Sequence, residues 1–494
     1  MIDYGTPYGM GLVNDSFAYI IGVRNLLEGN GYSRTAGSGE AVPLTHFPPF
    51  LSMVLTVFGA FGIDALQAIR ILNICLFAVN GLLIGLVIHR ITASSPFSVL
   101  GAALFLSSES FISIHTFALS EPLFIFQILI IILMLNSYLN EPRLYQVPIL
   151  GIMIGVAYLT RYIGVSVFGM VLLALLVIKN ETRSKTQQIL LYAISSAILP
   201  LAWSIRNARL TGNFANRAIF YHPISRHKWY EGIANFWDWL FPGNFNLYGR
   251  NPTFFMILLC GIIFAVFFII VYGLTKHLRS QDNNSSQLLI ITIAAGSIIY
   301  LSVLVFSMTF VDPATIFENR MIAPFYLLLV ILGVIYLHRL SRIEVRFVNI
   351  AVFLLCIVLV ASFARDGFSL VSNLREDGQG FANSWWRNPE MIEDIQGMQN
   401  VTLYSNRITA LYLLTEMPAY TLPSPEDIQD LEENPKIRSE LDVLRNDVEK
   451  GEAAIVIYGY GSYIKDPGYQ DWVLAITDEL PVKAEYYNIT IFGR

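Results

Sequence analysis

The chain has 494 residues, of which 54% are hydrophobic and 14% charged. Soluble domains carry about 25% charged residues; the deficit here lies in long apolar runs, which excludes an ordinary soluble globular protein and points to a polytopic membrane protein. The net charge of −5 hides an asymmetry: residues 366–494 hold 10 basic and 22 acidic side chains, a net of −12, against +7 for the rest. Such an acidic tail excludes nucleic acid as its partner.

The first 64 residues contain no run long enough to span a bilayer. LVNDSFAYI, residues 12–20, carries Asp15 and Tyr19, and residues 15–27 form an amphipathic helical pattern with Phe17, Ile20, Val23 and Leu27 apolar. This helix is expected to lie along the outer interface with Asp15 at its N-terminus, where the helix dipole favours a carboxylate. The plainer alternative is a capping role for Asn14 or Asp15. Downstream, PLTHFPPFLS, residues 43–52, places two prolines ahead of the next apolar run, which stops any helix there. His46 before them is either an acid–base group or metal ligand, or a structural residue of the proline turn.

Ten apolar runs follow: 65–91, 96–118, 120–139, 145–159, 162–178, 187–205, 253–274, 287–309, 321–340 and 345–363. A span needs about 20 residues, so 145–178 is two short spans or one long span broken near Arg161. Arg90, Arg143, Lys179, Arg183, Lys185, Lys276, Arg279, Arg339, Arg342 and Arg346 fall in alternate short loops, which the positive-inside rule makes cytoplasmic. Segments 107–119, 207–252 and 308–320 then face outward, together with residues 1–64 and the tail from about residue 366. This parity requires 145–178 to cross twice. The aromatic-rich 207–252 reads as an interfacial belt or as a sugar or lipid-headgroup contact. Cys75, Cys260 and Cys356 lie in apolar runs and read as buried small hydrophobes, with no disulfide framework and no thiolate metal site.

Three ionisable residues stand out against this background. Glu121, in IHTFALSEPLF (114–124), sits at the outer end of an apolar run, with His115 one loop away. Placing such a group in hydrocarbon costs about 2.5–3.5 kcal/mol, so it faces the protein interior or a water-filled cavity. Alternatively Ser120, Glu121 and Pro122 simply start a helix. Arg161, in YLTRYIGV (158–165), and Arg320, in IFENRMIAPF (316–325), carry guanidinium forks suited to phosphate. Snorkelling, or pairing with Glu121 or Glu318, is the alternative for each.

In the tail, 401–405, 454–458 and 486–492 read as strands, and 408–415 and 437–449 as helices. This predicts a small α/β domain outside the membrane. It has no glycine-rich phosphate loop, no zinc spacing and no Ser/His/Asp arrangement. No internal repeat with paired broken helices marks the chain as a transporter.

LVNDSFAYIIGVRNLLEGNGY followed by PLTHFPPFL resembles the first external loop of GT-C glycosyltransferases, polytopic enzymes that take sugars from polyprenyl-phosphate carriers. The later ALSEPLF, LTRYIGV, ENRMIAPFYLLL and LYSNRITALYLLTEMPAYTLP stretches resemble the bacterial protein O-mannosyltransferase and aminoarabinose-transferase group. The resemblance implies a GT-C-like helical membrane protein of about ten spans with a C-terminal extracytoplasmic α/β domain, divided at 1–64, 65–365 and 366–494. It implies a base role for Asp15 and a second catalytic acid at Glu121. Arg161 and Arg320 are assigned to the lipid phosphate, with His46, Tyr19 and Glu318 as further substrate contacts; a divalent metal would draw on Asp15, Glu121 or His46. Two departures matter. Phe47 separates His46 from the proline pair, and Ser16 stands where a second acid is common. A span ahead of Asp15 is also implied, and this sequence does not contain it.

The chemistry expected from the resemblance is inverting displacement of a hexosyl or pentosyl group from a polyprenyl-phosphate donor. The acceptor is a lipid, glycan or protein outside the cell membrane. A lipid-linked glycan flippase and a non-catalytic membrane assembly protein are the rival expectations.

Overall fold

A chain in hydrocarbon must satisfy its backbone polar groups internally, so the apolar runs fold as helices. The computed structural model describes the chain except at residues 36, 38–39, 179–183, 213–218, 244–248, 250, 280–283, 426–433 and 467–468; Lys179 and Arg183 of the basic loops therefore lie outside the described residues. Among the described residues, seven helices are long and apolar enough to cross a membrane: Ala65–Thr92, Glu121–Asn140, Lys185–Thr211, Pro252–Arg279, Ser285–Phe310, Asn319–Leu340 and Arg346–Asp377. Ser95–Ser107 and Glu109–Thr116, bent by 56°, make an eighth if counted as one broken span. The ambiguous 145–178 resolves into two shorter helices, Gln146–Thr160 and Val165–Val177, joined by a single 3-10 turn, Tyr162–Gly164. The break falls at Arg161, whose backbone is extended (φ −149°, ψ 130°).

Contacts divide the chain into two units. The first comprises Met1–Gly5, Thr45–Val54 and Ile69–Arg375. Its best-buried helix is Glu121–Asn140, where Phe124, Ile125, Leu129, Ile131, Ile132 and Leu135 are fully enclosed. Helices in lipid associate by close packing rather than by escape from water, which favours small residues at contacts. Gly151 and Gly155, four apart on one face, meet helix Lys185–Thr211 in this way. A Cβ on Gly151 would fall 1.9 Å from Ser195 Oγ. Helices Pro252–Arg279 and Arg346–Asp377 instead expose Phe264, Phe267, Phe268, Phe353 and Leu354, the surface expected toward lipid. Cys75 and Cys260 are exposed and Cys356 is half-buried. The expectation of buried cysteines is thus corrected: an apolar run that crosses a bilayer presents many of its side chains to lipid rather than to protein.

The second unit comprises Thr6–Leu44, Leu55–Ala68 and Glu376–Arg494. Its strands are β1 (Ser33–Thr35), β2 (Ala41–Pro43), β3 (Thr402–Ser405), β4 (Tyr420–Thr421), β5 (Ala453–Tyr458), β6 (Val482–Tyr486) and β7 (Ile489–Phe492). β1 and β2 form a small antiparallel pair, and the rest form a sheet in the order β4-β3-β5-β7-β6. β3 runs parallel to β4 and β5, and β7 antiparallel to β5 and β6. Alternate side chains of a strand face opposite ways, and β5 is buried throughout. Ala454, Val456 and Tyr458 join one core with Met391, Ile395 and Leu411, while Ala453, Ile455 and Ile457 join another with Leu444, Val448 and Ile476. The sheet is thus covered by helices on both faces. Residues 486–492, read as one strand, are two: a turn at Tyr487 and Asn488, with Tyr487 93% exposed, folds β7 back on β6.

Candidate active site

Two asparagines seven residues apart share one face of helix Ala65–Thr92. Asn73 Nδ2 donates to the Phe117 carbonyl (2.8 Å) and Asn80 Nδ2 to the Pro122 carbonyl (3.1 Å). They grip both sides of the turn that starts helix Glu121–Asn140, and so fix where Glu121 emerges. His115 is fully buried in the same packing, its Nδ1 2.7 Å from the Phe111 carbonyl and its Nε2 3.2 Å from Asn80. It stays within the helix packing and is not part of the group around Glu121 described next.

Glu121 is 0% exposed, and its Oε1 lies 2.5 Å from Arg161 Nη1. The same Nη1 lies 3.3 Å from Ser120 Oγ, and Nη2 lies 3.1 Å from Met321 Sδ. A thioether is a weak acceptor. The neighbouring turn of each helix is fastened: Gln127 Nε2 donates to Thr160 Oγ1 (2.7 Å), and Tyr300 Oη to the Met321 carbonyl (2.6 Å). The helix start with Pro122 in its first turn and the ion pair are both present.

His46 lies one residue from a second fastening. The Thr45 carbonyl accepts from Asn207 Nδ2 (3.2 Å) and Tyr162 Oη (3.5 Å), and Trp203 Nε1 donates to the same Tyr162 hydroxyl (2.9 Å). Since Tyr162 follows Arg161, the proline turn and the helix break are held to each other. The His46 ring meets Phe47 edge-on at 5.3 Å. Arg320, at the start of helix Asn319–Leu340, pairs with Glu318 (Nε to Oε2, 2.7 Å) and immediately precedes Met321. Of the sequence candidates in the first unit, the structure brings together Glu121 with Arg161, and Arg320 with Glu318.

In the second unit Asp15 is half-buried in the first turn of helix Asn14–Leu27. The cap is neither Asn14 nor Asp15: Val13 precedes the helix, and Ser16 Oγ accepts from the Val13 N–H (3.1 Å). Asn14 instead accepts from Thr409 (2.6 Å). Phe17 through Val23 are all buried, Tyr19 to 5% exposure. The expectation of a helix lying along the interface with one wet face is corrected by this enclosure. Phe17 packs edge-on to Tyr412 (5.3 Å), and Arg24 pairs with Glu416 (2.6 Å).

The aromatic segment is only in part a surface feature. Tyr221, Trp229 and Tyr230 are exposed, as a belt requires, whereas Trp237 and Trp239 on helix Arg226–Leu240 are buried. Among the described residues no three His, Cys, Asp or Glu side chains come together to hold a metal ion. Sequence reasoning missed Asn73, Asn80 and Gln127. Their only signal was an amide in an otherwise apolar helix, repeated seven residues on in the case of the asparagines.

Residues 47–210 match the family model for dolichyl-phosphate-mannose-protein mannosyltransferase, a stretch that contains both Glu121 and Arg161. No curated protein matches the chain by sequence. Among solved structures it is similar to ArnT from Cupriavidus metallidurans bound to undecaprenyl phosphate, with 13% identity and a TM-score of 0.58 over 99% of this chain and 95% of that one. It is also similar to the Archaeoglobus fulgidus oligosaccharyltransferase in complex with Zn and sulfate, with 12% identity and a TM-score of 0.54 over 94% of this chain and 67% of that one. The oligosaccharyltransferase AglB from the same organism, in complex with an inhibitory peptide and a dolichol-phosphate, aligns at 10% identity and a TM-score of 0.52. Identities this low speak for the fold, and the fold they share is the GT-C architecture.

Proposed function

We propose that this multi-pass membrane protein of GT-C fold is a glycosyltransferase that draws its sugar from a polyprenyl-phosphate-linked donor. The observation that carries the reading is the buried Glu121–Arg161 pair, set at a helix break inside the segment that matches the mannosyltransferase family. A polyprenyl-phosphate sugar keeps its lipid in the bilayer and its sugar–phosphate bond at the surface. The leaving group is already a phosphate, so no nucleotide site is needed.

Departure of that phosphate is helped by positive charge placed where negative charge builds up. Arg161 is suited to this because its guanidinium, set at the helix break beside Glu121, is a planar fork of donors that matches a phosphate. Arg320 is the second candidate, with Glu318 orienting it. An apolar groove of about 360 Å³, lined by Phe236, Leu259, Ile262, Leu301 and Phe325, offers a place for isoprene units. Asp15 takes the acceptor hydroxyl's proton as general base, and attack from the face opposite the phosphate inverts the anomeric carbon. Glu121 orients Arg161, while His46 contacts the sugar or acceptor. On this reading the unit containing Asp15 and the α/β tail lies outside the cytoplasm, where the loop charges put it.

The test is incubation of the purified full chain with a panel of polyprenyl-phosphate hexoses and pentoses, reading released carrier phosphate and the anomeric configuration of the product. Asp15→Asn should fold normally and lose transfer. Full activity in that variant removes Asp15 from the mechanism. Translocation of a lipid-linked glycan in liposomes without any sugar transfer would overturn the enzymatic reading in favour of a flippase.

A further inference from the structure

Away from Glu121 and Arg161, the first unit contains a cavity of about 170 Å³ with an acidic mouth. Three elements bring its carboxylates together. Glu109 follows the bend between Ser95–Ser107 and Glu109–Thr116, Asp238 sits near the end of helix Arg226–Leu240, and Asp366 lies on Arg346–Asp377. Their proximity is built in. Gly367 lies so close to the bend that a Cβ there would fall 2.3 Å from the Ser107 carbonyl. Helix Arg226–Leu240 is fastened by Asn235 Nδ2 donating to the Phe317 carbonyl (2.7 Å). Arg365 touches Asp366 from outside (3.4 Å) while remaining 68% exposed. Among the described lining residues there is no Lys, Arg or His.

The cavity also contains two buried polar groups without a hydrogen-bond partner among the described residues: Ser108 Oγ, on a residue 0% exposed, and Trp239 Nε1, on a residue 8% exposed. Trp239 cannot turn its N–H elsewhere, because its ring is stacked on Tyr326 (4.1 Å, 1°) and set edge-on to Phe363 (6.2 Å, 88°). An indole N–H only donates, and a serine hydroxyl does both. Buried polar groups in native proteins are normally paired, so the cavity is shaped for an occupant that supplies an oxygen acceptor to Trp239 and positive N–H donors to the carboxylates. The carboxylates do not converge as metal ligands.

We infer that this cavity binds a protonated primary amine that also carries an oxygen acceptor, the pattern of an amino alcohol. The ammonium sits among Glu109, Asp238 and Asp366, and the oxygen accepts from Trp239. Two sources carry this chemistry, a free amino alcohol or amino sugar and the ethanolamine headgroup of a lipid. The inference does not depend on the transfer reaction.

The test uses the full chain in phosphatidylcholine nanodiscs, titrated calorimetrically with glucosamine, ethanolamine and, as the neutral control, N-acetylglucosamine. A parallel arm measures retention of phosphatidylethanolamine against phosphatidylglycerol by native mass spectrometry. Saturable binding of a free amine, or selective retention of phosphatidylethanolamine, supports the site and identifies its source. Glu109→Gln with Asp238→Asn should weaken that binding at least about tenfold, the scale of a lost charge-assisted hydrogen bond. Trp239→Phe, which keeps the stacking and removes the N–H, should weaken it severalfold with unchanged thermal melting. Equal binding of the N-acetylated sugar, no retention of either amine, or unaltered binding in the carboxamide variant overturns the inference.

Discussion

A carboxylate and a guanidinium at 2.5 Å with exposures of 0% and 13% are stable only as a pair. Removing one partner from such a site leaves an uncompensated buried charge and costs about 3–5 kcal/mol, whereas replacing both with neutral groups of similar size is often tolerated. Glu121→Gln alone is therefore expected to lower the thermal stability of the detergent-solubilised protein by that amount and to abolish transfer. Glu121→Gln combined with Arg161→Met should regain most of the stability and none of the activity. Wild-type turnover in the double variant would reduce the pair to a structural feature. These two residues were legible in the sequence because a charge in an apolar run stands out. The partner of each was not, since Glu318 and Glu121 were both open to either arginine and only the fold assigns them.

At the scale of elements, the break at Arg161 depends on Gly164. A Cβ there would approach the Ala157 carbonyl carbon and oxygen and the Tyr158 nitrogen to 2.7–2.8 Å, and backbone cannot swing aside as a side chain can. Gly164→Ala should cost about 1–3 kcal/mol as an overpacking change and displace Arg161, lowering transfer more than stability. Gly333→Ala provides the control. It lies mid-helix, a Cβ there meets nothing within 4 Å, and helix propensity favours alanine, so its melting temperature should hold or rise. Equal behaviour of the two variants would sink this account of the break. Sequence periodicity located the break because Arg161 interrupts the apolar run. It could not separate β6 from β7, because the residues flanking Tyr487 and Asn488 are as strand-forming as the strands themselves and the turn lacks glycine and proline. The enclosure of helix Asn14–Leu27 was likewise out of reach, since its amphipathic pattern is the same whether the covering surface is lipid or protein.

At the scale of the whole chain, the second unit is discontinuous: residues from before the first long helix and residues after the last one fold together. The contact has identifiable parts. Phe17 lies against Tyr412, Asn14 accepts from Thr409, and Leu12 runs beside Gly380. The last approach requires glycine: Gly380 has φ 56°, and a Cβ would fall 2.1 Å from the Leu12 carbonyl. Arg24–Glu416 adds little, because its acid is 65% exposed and such pairs contribute at most about 1 kcal/mol. The helix bearing Asp15 is thus seated on the tail by packing and backbone fit, which under the proposed function gives a tail with no ligand motif of its own a place in the reaction. Truncation after residue 375 removes the whole five-stranded sheet and its share of that seat. The truncated protein should still insert in the membrane through its apolar helices, but limited proteolysis should now cut within residues 14–27, and transfer should fall to background. Gly380→Val in the full chain should reproduce the loss in part, with the helices intact. Transfer at the full rate by the truncated chain would show that Asp15 needs no such support. Activity retained by residues 376–494 alone would assign the function to the tail and return the rest of the chain to the role of an anchor.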